Sequence, residues 1–536
     1  MARRAYIDCS WESVAVAEQS PNPLRGEPAL PRRAREVLGV LAAVAIAIAV
    51  VAAVAASARS ELLFRDGDSL VTTLIVRSLA VGQPQDWALS SVLFLPETAV
   101  LGLLTLLGLG ITGTLALAGV VNIVALYAAL RVAAGSTTRA RAPIAGALLA
   151  VSGFAVLAAS ETSPSRDALE LASLLTTTTY YSATVVGVVL AVGLARRGLD
   201  RVADGGSDAF PWGGVVGVGL VAAASVLTNP LFAVWATVPL SVVLGVVAIR
   251  RRAALWLIAG LVAGTAVGFA CRMPLAHLIA NTGAGYFDPS RWLFSLEYYA
   301  VLLAERWNAP WGAASVVFAA LLWGWCVAAT ALLARRREVG AAVVAACGWA
   351  MPLLVVVGAI LAGTHAARYL QPAVFAPLAG LAVLPSLLPA ALPRVRPLVA
   401  VGAVAVALTA AVGLGVPRIA VAANAPDADL ACVLGWAEQS GRTGAGQFWT
   451  VRLPKTHLAD PRGLVQVDHR LRGYAWLVNR EDFGVGEVSF LVLDEQSPAF
   501  VLPGGRSMAD AELIPCGRYT IADFGSQPLP IGPQRS

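Results

Sequence analysis

The chain has 536 residues, of which 57% are apolar and only 13% charged, about half the charge of an ordinary soluble domain. That much apolar surface cannot be hidden in one aqueous core, which excludes a disordered chain, a secreted disulfide scaffold and a cytosolic enzyme carrying a single anchor. The formal net charge of +6 does not point to a nucleic-acid partner, because the basic residues are mostly Arg in short clusters between hydrophobic runs, where they act as topology signals of a polytopic membrane protein.

A helix needs about 20 apolar residues to cross the hydrocarbon. In chain order the candidate spans are 37–57, 112–132, 143–160, 178–195, 213–228, 231–249, 253–271, 312–334, 340–361, 371–390 and 398–417, about 11 in all. The Arg clusters fall in every second connection: Arg32, Arg33 and Arg35; Arg139 and Arg141; Arg196, Arg197 and Arg201; Arg250, Arg251 and Arg252; Arg335, Arg336 and Arg337; Arg394 and Arg396. All can then be cytoplasmic together. This predicts a plasma-membrane protein with a cytoplasmic N-terminal tail over 1–36, a transmembrane domain over 37–417, outside loops at 58–98, 161–177, 272–311 and 362–370, and an extracytoplasmic domain over 418–536. The first span has the basic flank of a signal sequence, but its apolar stretch exceeds the ~7 to 15 residues of a signal core, so it is read as an anchor. The run 99–130 is long enough for a hairpin of two short spans, which would reverse every later loop. One span preceded by a hydrophobic helix at the outer face keeps the Arg clusters on one side.

An oxidising outside compartment predicts a disulfide between Cys432 and Cys516, whereas Cys9, Cys271, Cys326 and Cys347 look unpaired. A helix near 427–438 and strand-like runs at 448–453, 474–478, 488–493 and 519–524, separated by turn residues, make the tail a small α/β domain.

The spans are nearly free of the mid-depth charges that mark a transport path. Acids and further Arg residues gather instead in the outside loops: Glu61, Arg65, Asp66, Asp68, Arg77, Asp86 and Glu97; then Glu161, Arg166, Asp167 and Glu170; then Asp288, Arg291, Glu297, Glu305 and Arg306; then His365 and Arg368. For any single residue a solvated surface is the plainer reading. Phe64-Arg65-Asp66-Gly67-Asp68-Ser69, however, follows directly on the first span, which puts two carboxylates at the membrane boundary. An interfacial amphipathic helix over 70–80 comes next, broken by Gly82-Gln83-Pro84. The plain reading of the acidic motif is a turn capped by Asp with Gly67 at positive φ. Gly108-Leu109-Gly110-Ile111-Thr112-Gly113 matches a dinucleotide fingerprint but lies in an apolar run, where close helix packing is the better explanation.

Together, the acidic first loop, Leu227-Thr228-Asn229-Pro230-Leu231-Phe232 and His365-Ala366-Ala367-Arg368-Tyr369-Leu370-Gln371-Pro372 resemble the C-type superfamily of integral membrane glycosyltransferases. The resemblance covers the membrane part in outline and implies an all-α bundle carrying a soluble domain, with a lipid-linked, polyprenyl-phosphate sugar as donor and an envelope glycan or lipid as acceptor. The intervening Gly67 departs from the commoner adjacent acids and leaves open which of Asp66 and Asp68 acts. One carboxylate is enough as base, because a departing phosphate needs little protonation. Arg368 is the first candidate for the donor phosphate, since its planar fork pairs with phosphate oxygens, with His365, Arg291 and Arg306 behind it. Arg65, Glu97, Glu161, Asp167 and Tyr369 are further pocket candidates. No cofactor is implied; Glu161 and Asp167 have the chemistry to join Asp68 around a divalent cation, without diagnostic spacing. Competing readings are a lipid or glycolipid transporter and a non-catalytic anchor that presents the C-terminal domain to a partner.

Overall fold

The computed structural model describes residues 30–205, 210–389 and 396–535; most of the expected tail, Cys9 and Arg394 lie outside the described residues. Among the described residues seven helices are long and apolar enough to cross a membrane, as in a multi-pass membrane protein. Helix α1 (Arg32–Ala55) leads through the short α2 (Ser60–Phe64) to α3 (Val71–Ala80), the two-residue strand β1 (Trp87–Ala88), α4 (Leu95–Thr105) and α5 (Gly110–Ala133). The run 99–130 is thus one long helix preceded by a short one. Gly108 and Gly110 stand at φ +68° and +71°, and a Cβ on either would meet nothing within 4 Å. These glycines serve the chain break, which needs a left-handed backbone, and not the helix packing expected of them.

There follow α6 (Pro143–Ala159), α7 (Ser182–Gly205), α8 (Trp212–Thr228), a π turn (Ala233–Thr237) running into α9 (Val238–Ala248), α10 (Ala253–Arg272), α11 (Trp292–Asn308), α12 (Gly312–Arg335) and α13 (Val339–Leu361). Next come α14 (Pro372–Leu381), α15 (Leu384–Leu387), α16 (Pro397–Ala410), a second π turn (Ala411–Gly415) and α17 (Val416–Ala423). Four of the expected spans fall short of full length. Helices α6 and α8 have 17 residues each and α9 has 11, while the run 371–390 breaks into helices of 10 and 4. Pro377 lies inside α14, and Pro385 in the first turn of α15, where the ring's missing N–H disfavours continuation. The last membrane helix runs on to Ala423 instead of ending at 417, and α7 begins at Ser182, four residues later than 178.

Small residues let the helices close up. A Cβ on Gly260 would come within 2.7 Å of the Val215 carbonyl oxygen, and one on Gly268 within 2.7 Å of that of Ala223, so α10 lies directly on the backbone of α8. Members of several Arg clusters meet at one end of the bundle. Arg131 pairs with Glu36 at 2.6 Å, Arg139 donates to the Asp200 carbonyl, Arg196 to that of Ala133 at 2.7 Å, and Arg336 to that of Ser386 at 2.9 Å. Since α1 starts at this end and its 24 residues span about 36 Å, the acidic loop that follows it lies at the other.

The C-terminal domain opens with α18 (Ala428–Ser440), capped by the Asp427 carboxylate on the Leu430 N–H. Strand β2 (Gly444–Gln447), helix α19 (Phe448–His457) and strand β3 (Leu464–Val467) follow, then β4 (Arg472–Tyr474), β5 (Val478–Asn479), β6 (Glu487–Val488), β7 (Phe490–Leu493), β8 (Glu512–Cys516), β9 (Tyr519–Asp523), β10 (Leu529–Pro530) and β11 (Gly532–Arg535). The main sheet is mixed, in the order β11-β4-β3-β2-β7-β9-β8. The run 448–453, read as a strand from its aromatic and β-branched residues, is helical. Strands β2 and β3 pair in parallel, and a parallel neighbour has to be reached by a crossover, here a helix. Strand β2 carries no β-branched residue because Gly444 lies against the Phe490 ring and Gly446 against Val451. Cys432 and Cys516 form a disulfide with Cα atoms 5.5 Å apart, joining α18 to β8.

Candidate functional site

The segment between α1 and α4 is clamped to the C-terminal domain. Strand β1 pairs antiparallel with β5, Trp87 opposite Asn479 and Ala88 opposite Val478. Arg480 binds Asp86 at 2.7 Å, Gln83 donates to Asp482 at 2.9 Å, and Arg77 reaches the Leu458 and Ala459 carbonyls. This seam holds the Asp66-Gly67-Asp68 turn between the membrane helices and α19.

The two carboxylates of the turn differ in their surroundings. Asp66 is 9% exposed and saturated: its Oδ2 accepts from the Ser69 N–H at 3.0 Å, the Ser69 hydroxyl at 3.3 Å and the Tyr180 hydroxyl at 2.9 Å, and its Oδ1 from Arg166 at 3.4 Å. Asp66 therefore caps its turn. Gly67 is not among the positive-φ residues, so left-handed geometry is not the reason for it. A Cβ there would sit 3.1 Å from the rings of both Phe448 and Trp449, and the glycine between the two acids makes room for the C-terminal domain.

Asp68 is partly exposed, and among the described residues no hydrogen bond reaches its carboxylate. Burial, and then the neighbouring Asp66 charge, push it up to about 6, against the pull of Arg368, Arg166 and Arg452. Three guanidiniums from three separate parts of the chain thus face one carboxylate. Arg166 comes from the loop between α6 and α7 and stacks 3.9 Å from the Trp449 ring centre. Arg368, ahead of α14, donates to the Tyr181 hydroxyl at 3.2 Å and lies 3.8 Å from the half-exposed Asp167. Arg452, from α19, is fully buried. Tyr180 is pushed well above its usual value by burial and by Asp66 and Asp68, so its hydroxyl is a donor throughout the physiological range. A cavity of about 400 Å³ lies beside this cluster, lined by Asp66, Gly67, Arg166, Trp449, Gln496 and Tyr519 among others.

The structure brings Asp66, Asp68, Asp167, Arg368 and Tyr369, whose ring centre is 5.8 Å from the Arg368 guanidinium, into one cluster. Arg65 lines the cavity beside it, together with Asp66 and Arg166, and the remaining candidates go elsewhere. Arg306 is buried against Glu170 at 2.5 Å and Ser160 at 3.0 Å, which leaves its fork no room for a phosphate. Glu161 is also buried, its oxygens taken by the Ala172 and Ser173 N–H groups at 2.8 and 2.7 Å, and Glu97 is buried on α4 accepting from the Ala183 N–H at 3.2 Å. Arg65 pairs with Glu61 at 2.8 Å and faces Asp427 at 3.9 Å. Arg291 is exposed and stacked 4.6 Å from the Phe294 ring centre, and His365 stands edge-on to Phe294 and Tyr298, at 6.1 and 6.3 Å. Among the described residues no three His, Cys, Asp or Glu side chains are placed to hold a metal ion.

Sequence reading misses Tyr180, Trp449 and Arg452 as site residues. Tyr180 is hidden by an early start for the fourth span, and Trp449 and Arg452 by reading a helix as a strand. Arg166 was legible only as one charge among many. The chain matches no protein-family model and no curated protein.

Proposed function

We propose that this protein is a membrane glycosyltransferase of the C-type kind, with about 11 membrane passages once the short helices are included. The Arg-rich end faces the cytoplasm and the C-terminal domain lies outside. The observation that carries the reading is the Asp68 carboxylate: partly exposed, without a hydrogen bond among the described residues, and under the charge of Arg368, Arg166 and Arg452 where the acidic loop leaves an apolar bundle.

Asp68 accepts the proton of an acceptor hydroxyl as that oxygen attacks the anomeric carbon of a polyprenyl-phosphate sugar. The new carbon–oxygen bond forms on the face opposite the phosphate, and the old one breaks with its electron pair leaving on the phosphate oxygen, so the carbon inverts. A base that titrates near 6 is mostly ionised at neutral pH and still able to take a proton in the transition state. Arg368 and Arg166 supply paired, permanently charged donors for the phosphate. Asp66 and Asp167 hold those guanidiniums in place. The acceptor is an envelope glycan or glycolipid.

The test is to incubate the purified protein with a panel of polyprenyl-phosphate sugars and follow transfer or release of lipid phosphate. Product from the wild type and none from Asp68→Asn supports the reading. Undiminished product from a well-folded Asp68→Asn variant refutes it. Movement of an intact lipid across a vesicle without transfer would favour a transporter, and function retained by the C-terminal domain alone would favour an anchor.

A further inference from the structure

We propose that Arg452 of the C-terminal domain is a positioning residue of the membrane-domain site, holding the Asp66-Gly67-Asp68 turn so that the Asp68 carboxylate stays aimed at the substrate. The inference rests on the reading of Asp68 as the base.

Arg452 sits on α19 with no exposed surface. Its Nε donates to the Gly67 carbonyl at 3.1 Å, its Nη1 donates to the Leu477 carbonyl, and its guanidinium lies 5.2 Å from the Phe448 ring centre. Gly67 is therefore held from two directions. Phe448 and Trp449 block it at 3.1 Å where a side chain would stand, and the guanidinium grips the carbonyl of the peptide that joins it to Asp68.

A buried cation is a costly way to make such a contact. Removing a guanidinium from water costs several kcal/mol, and a neutral amide satisfies a carbonyl equally well. What Arg adds is charge, and burial lowers its pKa only to about 10, so the charge persists at neutral pH. The acids that feel it are Asp68, Asp66 and Asp482. Asp482 already pairs with Lys455 at 3.0 Å, and Asp66 already accepts four hydrogen bonds. Asp68 is the acid that acts most on Arg452, and Arg452 shares it with Arg368 and Arg166. The Arg452 Nη2 is buried and unpaired, so the guanidinium is not consumed by structural bonds. The groups facing Asp68 are Asp66 on its own loop, Arg166, Tyr180 and Tyr181 ahead of α7, Arg368 before α14, and Arg452 and Tyr474 of the C-terminal domain. Membrane and soluble domains thereby form one catalytic unit, with the soluble domain fixing the position and the charge state of the base.

Full-length Arg452→Met and Arg452→Lys, purified beside the wild type, test this with two readouts. The first is carbodiimide labelling of Asp68 against pH, read by mass spectrometry, which needs neither donor nor acceptor. Wild type should be half-labelled near pH 6, and the Met variant about 1 pH unit higher, because an opposing cation has gone. The Lys variant, which keeps the charge, should stay with the wild type. The second readout is transfer, in which the Lys variant should lose about 10- to 100-fold in kcat through a misplaced base with an unchanged KM for donor. A wild-type labelling midpoint in the Met variant, or wild-type kcat in the Lys variant, overturns the proposal, and the Lys variant decides alone if the Met protein does not fold. Should wild type transfer no sugar, the functional reading fails while the labelling midpoint still reports on Arg452.

Discussion

Two clusters of Arg and acid lie just beyond the same end of the bundle, and they are built differently. In the first, Arg59, Glu161, Glu170 and Arg306, which come from three separate segments, are each 5% exposed or less. Arg59 spends its fork on the Ser173 hydroxyl and on the Ser163, Ser165 and Glu170 carbonyls, at 2.7 to 3.0 Å. Glu170 takes the Ser163 N–H and Arg306. Two positive and two negative groups close on each other and leave no acceptor for a ligand. Around Asp68 the same residue types are held open, by different segments, with one carboxylate free. The closed cluster fixes the loop that carries Arg166 and Asp167, and the open one leaves the Asp68 carboxylate without a hydrogen bond among the described residues. Charge content alone does not distinguish them; saturation of hydrogen bonds does.

That contrast is breakable. The largest expected effect is on rate. Asp68→Asn should cost on the order of 10²- to 10⁴-fold in transfer without loss of stability. Its pKa is raised in the fold, so above pH 6 its ionised form works against folding and its removal should leave the melting temperature equal or higher at pH 7.5. A lower melting temperature would make Asp68 structural. Breaking the closed cluster should do the opposite. Arg306→Met or Glu170→Gln leaves a buried charge without its partner, at a cost of about 3–5 kcal/mol, visible as lower folded yield in detergent; a stable variant would show that the network is not closed.

A pH profile sharpens the comparison further. Transfer should fall about tenfold per pH unit as Asp68 gains its proton below about 6; a flat profile through that range would count against Asp68 as the base. Gly67→Ala should cost about 1–3 kcal/mol by overpacking against Phe448 and Trp449, measured by thermal unfolding, with a several-fold drop in transfer. Smallest of all, Arg291→Ala and His365→Ala should leave transfer within about twofold of wild type, since neither touches the cluster; a large loss in either would extend the site toward α11.

Much of the outline is legible from the chain because hydrophobic length and Arg placement are local properties. Runs of apolar residues mark the helices, and members of several Arg clusters converge on one end of the bundle through contacts such as Arg139 with the Asp200 carbonyl. The acidic turn after α1 and Arg368 before α14 also stand out, as charges beside apolar runs are rare enough to notice. What lay beyond reach is pairing. Nothing local separates Arg306, sealed against Glu170, from Arg368, which faces Asp68; the difference is made by which loop comes back beside each. Gly67 reads as a turn residue until Phe448 and Trp449 arrive from a domain almost 400 positions later, and 448–453 reads as a strand until β2 and β3 pair in parallel. Composition and periodicity determined that this chain enters a membrane and where its charges collect, because burial of apolar surface is set residue by residue. Only the tertiary structure decided which charges are spent on one another and which carboxylate is left free, because a hydrogen bond depends on the position of two groups that the sequence keeps apart.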